Sequence, residues 1–116
     1  MSEVILGRIA TVRIAPNEDL IHGLEQAAAR LGFGQAMVRS GLGSLIDAAF
    51  ERHRVAGPVI ELVSLFGEIG PGTTTLSGLV GDPSGAVSGG RFLPGANPVC
   101  ITVEAVLEEI SPEAPR

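Results

Sequence analysis

The chain has 116 residues, 45% of them hydrophobic and 18% charged, with a formal net charge of −5. This length suits a single domain with a real core, and the composition excludes an intrinsically disordered chain. All eight basic residues are scattered arginines, an arrangement unsuited to direct nucleic-acid binding, and no apolar run approaches the ~18 residues of a membrane-spanning helix.

Met1-Ser2-Glu3-Val4-Ile5 lacks the basic and apolar regions of a signal peptide, so a cytoplasmic location is expected. Residues 4–14 read as an opening strand interrupted at Gly7. Ala15-Pro16-Asn17-Glu18-Asp19 is a turn into a helix, with Asn17 as N-cap and Glu18 and Asp19 facing the positive end of the dipole. Leu20, Leu24, Ala27, Ala28 and Leu31 recur at helical spacing, and Gly32 supplies the stop. His22 within this helix has no second ligand at i+3 or i+4 and reads as a surface or half-buried histidine rather than a metal ligand.

Gln35–Arg39 reads as a strand. Ser40-Gly41-Leu42-Gly43-Ser44 follows as a glycine-rich loop, without the lysine of a P-loop or the spacing of a dinucleotide fingerprint. Leu45–Arg54 is partly extended or briefly helical, and Gly57-Pro58 turns the chain. Val59–Phe66 is a near-continuous apolar strand, interrupted by Glu61, as expected for the middle of a sheet. Gly67–Gly72 reads as a loop.

Thr73–Leu76 opens a hairpin around Asp82-Pro83-Ser84-Gly85. There aspartate can cap its own turn, proline presets φ, and glycine accepts positive φ. Gly89-Gly90 then places bare backbone just before Arg91. Paired glycines weaken a strand, so they mark a close approach by a ligand or a neighbouring chain, or a bulge. Pro94–Pro98 is a further turn, and Val99–Ile110 a long last strand. Cys100 within it reads as a small buried hydrophobe. The domain is expected over 1–110, with 111–116 a flexible tail. One helix and about six strands give an α+β domain with a mainly antiparallel sheet. With 3% aromatics and a mean hydropathy of +0.36, its surface is more apolar than a monomer requires, so a homo-oligomer is expected.

Four segments together resemble the PPC domain family, the plant and prokaryote conserved domain also called DUF296 or PD1-like. They are Pro16–Leu20, Ser40–Leu45, Glu61–Gly67, and Gly85–Gly90 with Val103–Leu107. The resemblance implies a compact α+β fold assembled as a homotrimer, similar in fold to the zinc lyase acetolactate decarboxylase. Plant relatives carry DNA binding on an adjoining Arg-Gly-Arg-Pro type segment. None occurs in these 116 residues, so the resemblance does not bring DNA binding here. Relatives with a metal place histidines before the Asp-x-x-Gly turn and after the Gly-Gly pair. Here those positions hold Ser77 and Arg91, and no zinc cofactor is expected.

Arg91 offers a charged fork for a carboxylate or phosphate. Ser77, Thr75 and the backbone near Gly89 and Gly90 would add neutral donors for a small anion. Glu61, Glu104 or Glu68 could instead pair with Arg91 in a structural ion pair. The function that follows is a non-catalytic, homo-oligomeric binding or scaffold protein with a small-anion site. The alternative is a diverged lyase- or hydrolase-like enzyme, with Arg91 holding substrate and Glu61 or Glu104 as acid–base.

Overall fold

A six-stranded antiparallel sheet with one helix against its inner face forms the chain, seen in a computed structural model that describes residues 4–112. The elements are β1 (Val4–Ile14), α1 (Leu20–Leu31), β2 (Ala36–Leu45), β3 (Ala48–Ala49), β4 (Arg54–Val55), β5 (Ile60–Ile69), β6 (Thr74–Gly81), β7 (Val87–Arg91) and β8 (Val99–Pro112). Strand order in the main sheet is β1-β8-β2-β5-β6-β7, and β3 and β4 form a separate two-stranded hairpin. This is the expected α+β architecture. Strand β8 continues two residues past the expected domain end, to Pro112; the remainder of the expected tail, 113–116, lies outside the described residues.

Periodicity places the core. Leu20, Leu24, Ala27 and Ala28 bury one stripe of α1 against Leu62, Leu65, Leu76 and Val80 of the sheet's inner face. Gly23 lets the helix approach β1, since a Cβ there would stand 2.7 Å from Ile14 Cγ2. The helix starts differently from the expectation. Asp19, not Asn17, is the N-cap, and its carboxylate accepts from His22 N. Asn17 takes a left-handed conformation, φ 70°, in the preceding turn, a conformation asparagine tolerates better than most residues. Gly32 ends the helix, as expected, at φ 77°.

Two expected loops are strand. Ser40–Ser44 lies inside β2, and Gly67–Ile69 inside β5. Their glycines serve strand crowding rather than a turn: a Cβ on Gly43 would lie 2.1 Å from Thr102 O, and one on Gly67 2.0 Å from Thr75 O. Leu45–Arg54 contains no helix; it supplies β3 and the start of β4.

Among the described residues no helix covers the sheet's outer face. Leu42, Val63, Leu79 and Val87, from β2, β5, β6 and β7, line up across it; Phe66 follows further along β5, and Ile9 stands apart on β1, level with Met37. All six are exposed, from 43% for Leu79 to 65% for Leu42 and Ile9. Among the described residues no helix is long and apolar enough to cross a membrane.

Candidate functional site

Two hairpins meet at the β7 edge of the sheet. The first is β6–β7, whose turn forms as its residues dictate. Asp82 Oδ1 accepts from Ser84 N at 2.9 Å, Ser84 Oγ at 2.6 Å and Ala86 N at 3.0 Å, and Gly85 takes φ 89°. These bonds, the Ser84 hydroxyl foremost, hold the Asp82 carboxyl below the usual carboxylate range. The second is β3–β4, closed by Phe50 N donating to His53 O, so Glu51 and Arg52 occupy its tip.

The β3–β4 tip docks beside β7. Glu51 N donates to Arg91 O and Leu93 N to Ala49 O, each at 2.9 Å. Phe50 packs on Phe92 with ring centroids 4.7 Å apart, and His53 stacks on Phe50 at 4.9 Å. Asn97, fully buried, fastens the arm from behind: its Oδ1 accepts from Ala49 N, and its Nδ2 donates to Ala49 O and Leu93 O. Between tip and strand lies a cleft of about 200 Å³ lined by Phe50, Glu51, Arg52, His53, Gly89, Gly90 and Arg91.

Arg91 thus meets neither Glu61, Glu104 nor Glu68. Its Nη1 lies 3.6 Å from Glu51 Oε2, with both side chains about half exposed. Gly89 and Gly90 line this cleft. Gly89 also has a structural reason, because a Cβ would stand 2.1 Å from Gly78 O on β6. Ser77 is the cross-strand partner of Arg91, and Thr75 faces Glu68 further along β6; neither lines the cleft. Glu61 is exposed on β5, beside Gly81 and Ser44. Glu104 lies on β8, four strand spacings from β7 or roughly 19 Å, in a separate groove of about 210 Å³ with Thr11, Ser40 and Leu42.

Sequence reading missed Glu51, Arg52, His53 and Ser88. His53 Nε2 lies 3.3 Å from Ser88 Oγ, a pairing across 35 residues. No local signal announces it, since the β3–β4 tip contains neither glycine nor proline.

The family model described as the Plants and Prokaryotes Conserved (PCC) domain matches residues 1–111. Among solved structures, a hypothetical protein from Salmonella cholerae-suis is 26% identical, with TM-score 0.78, over 95% of this chain and 80% of that one. A metal-containing protein from Archaeoglobus fulgidus is 20% identical, TM-score 0.77, over 99% and 88%. A candidate DNA-binding protein from Bacteroides thetaiotaomicron is 15% identical, TM-score 0.75, over 91% and 83%. No curated protein matches.

The residues at the Arg91 position do not fit a metal ion. Zinc takes imidazole, thiolate or carboxylate ligands, whereas Ser77 and Arg91 present a hydroxyl and a permanently charged guanidinium. Among the described residues no group of three or more His, Cys, Asp or Glu is placed to hold a metal.

Proposed function

The chain belongs to the Plants and Prokaryotes Conserved domain family, and from that premise we propose that it is a homo-oligomeric, non-catalytic binding or scaffold protein, trimeric as the resemblance implies, with a small-anion site at Arg91. One observation carries the assembly: the uncovered outer face with its exposed apolar stripe, Leu42, Val63, Leu79 and Val87. A sheet face left to water ordinarily alternates to polar residues. Contiguous exposed apolar surface of this kind marks a contact site, and further copies of the same chain are the occupants that the oily composition favours.

The enzyme alternative finds less support. It requires Glu61 or Glu104 beside Arg91, and these lie two and four strand spacings away. Native mass spectrometry of the purified chain tests the reading. A stable trimer that dissociates on Leu79→Asp, with circular dichroism retained, supports it; a monomer at micromolar concentration refutes it.

A further inference from the structure

We infer that the cleft between the β3–β4 tip and the outer edge of β7 binds a small organic carboxylate, which takes the place of Glu51 at Arg91. This rests on the anion-site part of the reading above and is independent of the oligomeric state.

Backbone register provides the first argument. Phe92 N donates to Leu76 O across to β6. Antiparallel alternation then turns the N–H groups of Gly90 and Ser88 towards β6 as well, and those of Gly89 and Arg91 away from it. Strand β7 is the last in the sheet, so these two donors face the cleft side. At Gly89 and Gly90 no side chain screens the approach of a ligand to this edge.

Charge provides the second. Arg52 and Arg91 outnumber Glu51 at the cleft by one positive charge, in a chain whose total is −5. One monocarboxylate balances that excess. Glu51 itself displays the complementary group, since a carboxylate already rests against the guanidinium. At 3.6 Å the contact is longer than a hydrogen bond, and both partners are half exposed. Such pairs contribute little and exchange readily. A free carboxylate can engage the guanidinium fork through two N–H groups at once.

Shape provides the third. The volume of about 200 Å³ equals that of roughly seven waters at ~30 Å³ each, which matches a short-chain acid. Phe50 is buried beneath the His53 ring, so the imidazole face and the bare backbone of Gly89 and Gly90 are what meet the alkyl part of such an acid.

The test is a titration of the ¹⁵N-labelled full-length chain, in its native assembly, with acetate, propionate, succinate and inorganic phosphate. Saturable shifts of the Gly89 and Arg91 amides by a carboxylate are expected. Arg91→Ala should weaken that binding about tenfold or more, as expected for loss of charge-assisted hydrogen bonds, and Arg91→Lys should fall between. Glu51→Gln should tighten binding about threefold by removing the internal competitor, and it tests the idea even where Arg91→Ala fails to fold. The inference is overturned if no carboxylate produces saturable shifts, if phosphate binds and the carboxylates do not, or if Glu51→Gln leaves the affinity unchanged. Repeating the titration on Leu79→Asp separates the two readings: dissociation with binding intact supports both, and an assembled chain without binding refutes only this one.

Discussion

Asp19 and Asn97, 78 residues apart, are joined through one carboxylate. Asp19 Oδ2 accepts from His22 N and caps α1, while Oδ1 accepts from Asn97 N, each at 3.0 Å. The side chain of Asn97 in turn holds β3 at Ala49. Helix start, β7–β8 loop and β3–β4 arm therefore share one polar knot. Asp19→Ala should cost about 2 kcal/mol, the sum of a lost cap and a lost charged hydrogen bond, with Asp19→Asn recovering part of it. Urea unfolding measures both.

Asn97→Ala should have a more local effect. It leaves the buried Ala49 N–H without its partner and removes a donor from Leu93 O, while Ala49 O keeps Leu93 N; the cost should be about 2 kcal/mol. Hydrogen exchange should show Ala49 and Phe50 losing protection ahead of β5 and β8. Uniform loss across the sheet would contradict the arm being a separately fastened unit.

Acid should weaken the pairing of β1 with β8. Arg8 donates to Glu109 from Nε and Nη2, both at 3.0 Å, and that hydrogen bonding holds the Glu109 carboxyl below its ordinary value. A carboxylate depressed on folding contributes stability above its unfolded pKa, and loses it as pH falls through the folded value. Asp82, depressed by Ser84 and Ala86, follows the same sign. Melting temperature should thus fall below the usual carboxylate range, and the fall should shrink in Glu109→Gln.

Gly43 and Gly67 should not tolerate alanine. Each takes a positive φ, 143° and 153°, and each faces a backbone carbonyl about 2 Å from where a Cβ would stand. Carbonyls in a central ladder cannot retreat as a side chain can. Gly43→Ala and Gly67→Ala should each cost about 4 kcal/mol or more, against about 1 kcal/mol or less for Gly34→Ala, where no atom lies within 4 Å. Thermal unfolding of the three variants checks the contrast.

The same glycines show where sequence reading ends. The Asp82–Gly85 turn was legible because all its hydrogen bonds lie within five residues. Helix α1 was legible from its stripe, although the cap fell on Asp19 through a bond to distant Asn97. Gly43 and Gly67 read as loop residues because the reason for them, a neighbouring strand's carbonyl, is far away in sequence. The candidate site divides likewise. Arg91, Gly89 and Gly90 announced themselves on one strand, whereas Glu51, Arg52 and His53 reach the cleft only through docking of the arm. Glu61 and Glu104 looked available because sequence gives no strand order, and that order separates them from Arg91.

Arg39 and Glu108 offer a test of the proposed assembly. Glu108 is 5% exposed and pairs with Arg39, which sits at a register shift of β2 between Val38 and Ser40; such a bulge re-aims a side chain. The Arg39 side chain remains 52% exposed, so water can partly replace it in an isolated chain. Breaking a fully buried pair costs 3–5 kcal/mol; with that access to water, Arg39→Ala should cost a monomer about 2 kcal/mol. The pair lies on the outer face, between Ile9 and Met37 in the β1-β8-β2 register. If further copies cover this face, Arg39→Ala should cost the assembled protein more than the dissociated Leu79→Asp form. Denaturant unfolding of Arg39→Ala in both backgrounds, at equal chain concentration, measures the difference. Equal costs would place the pair outside the contact, and a larger cost in the assembled form would place Glu108 within it.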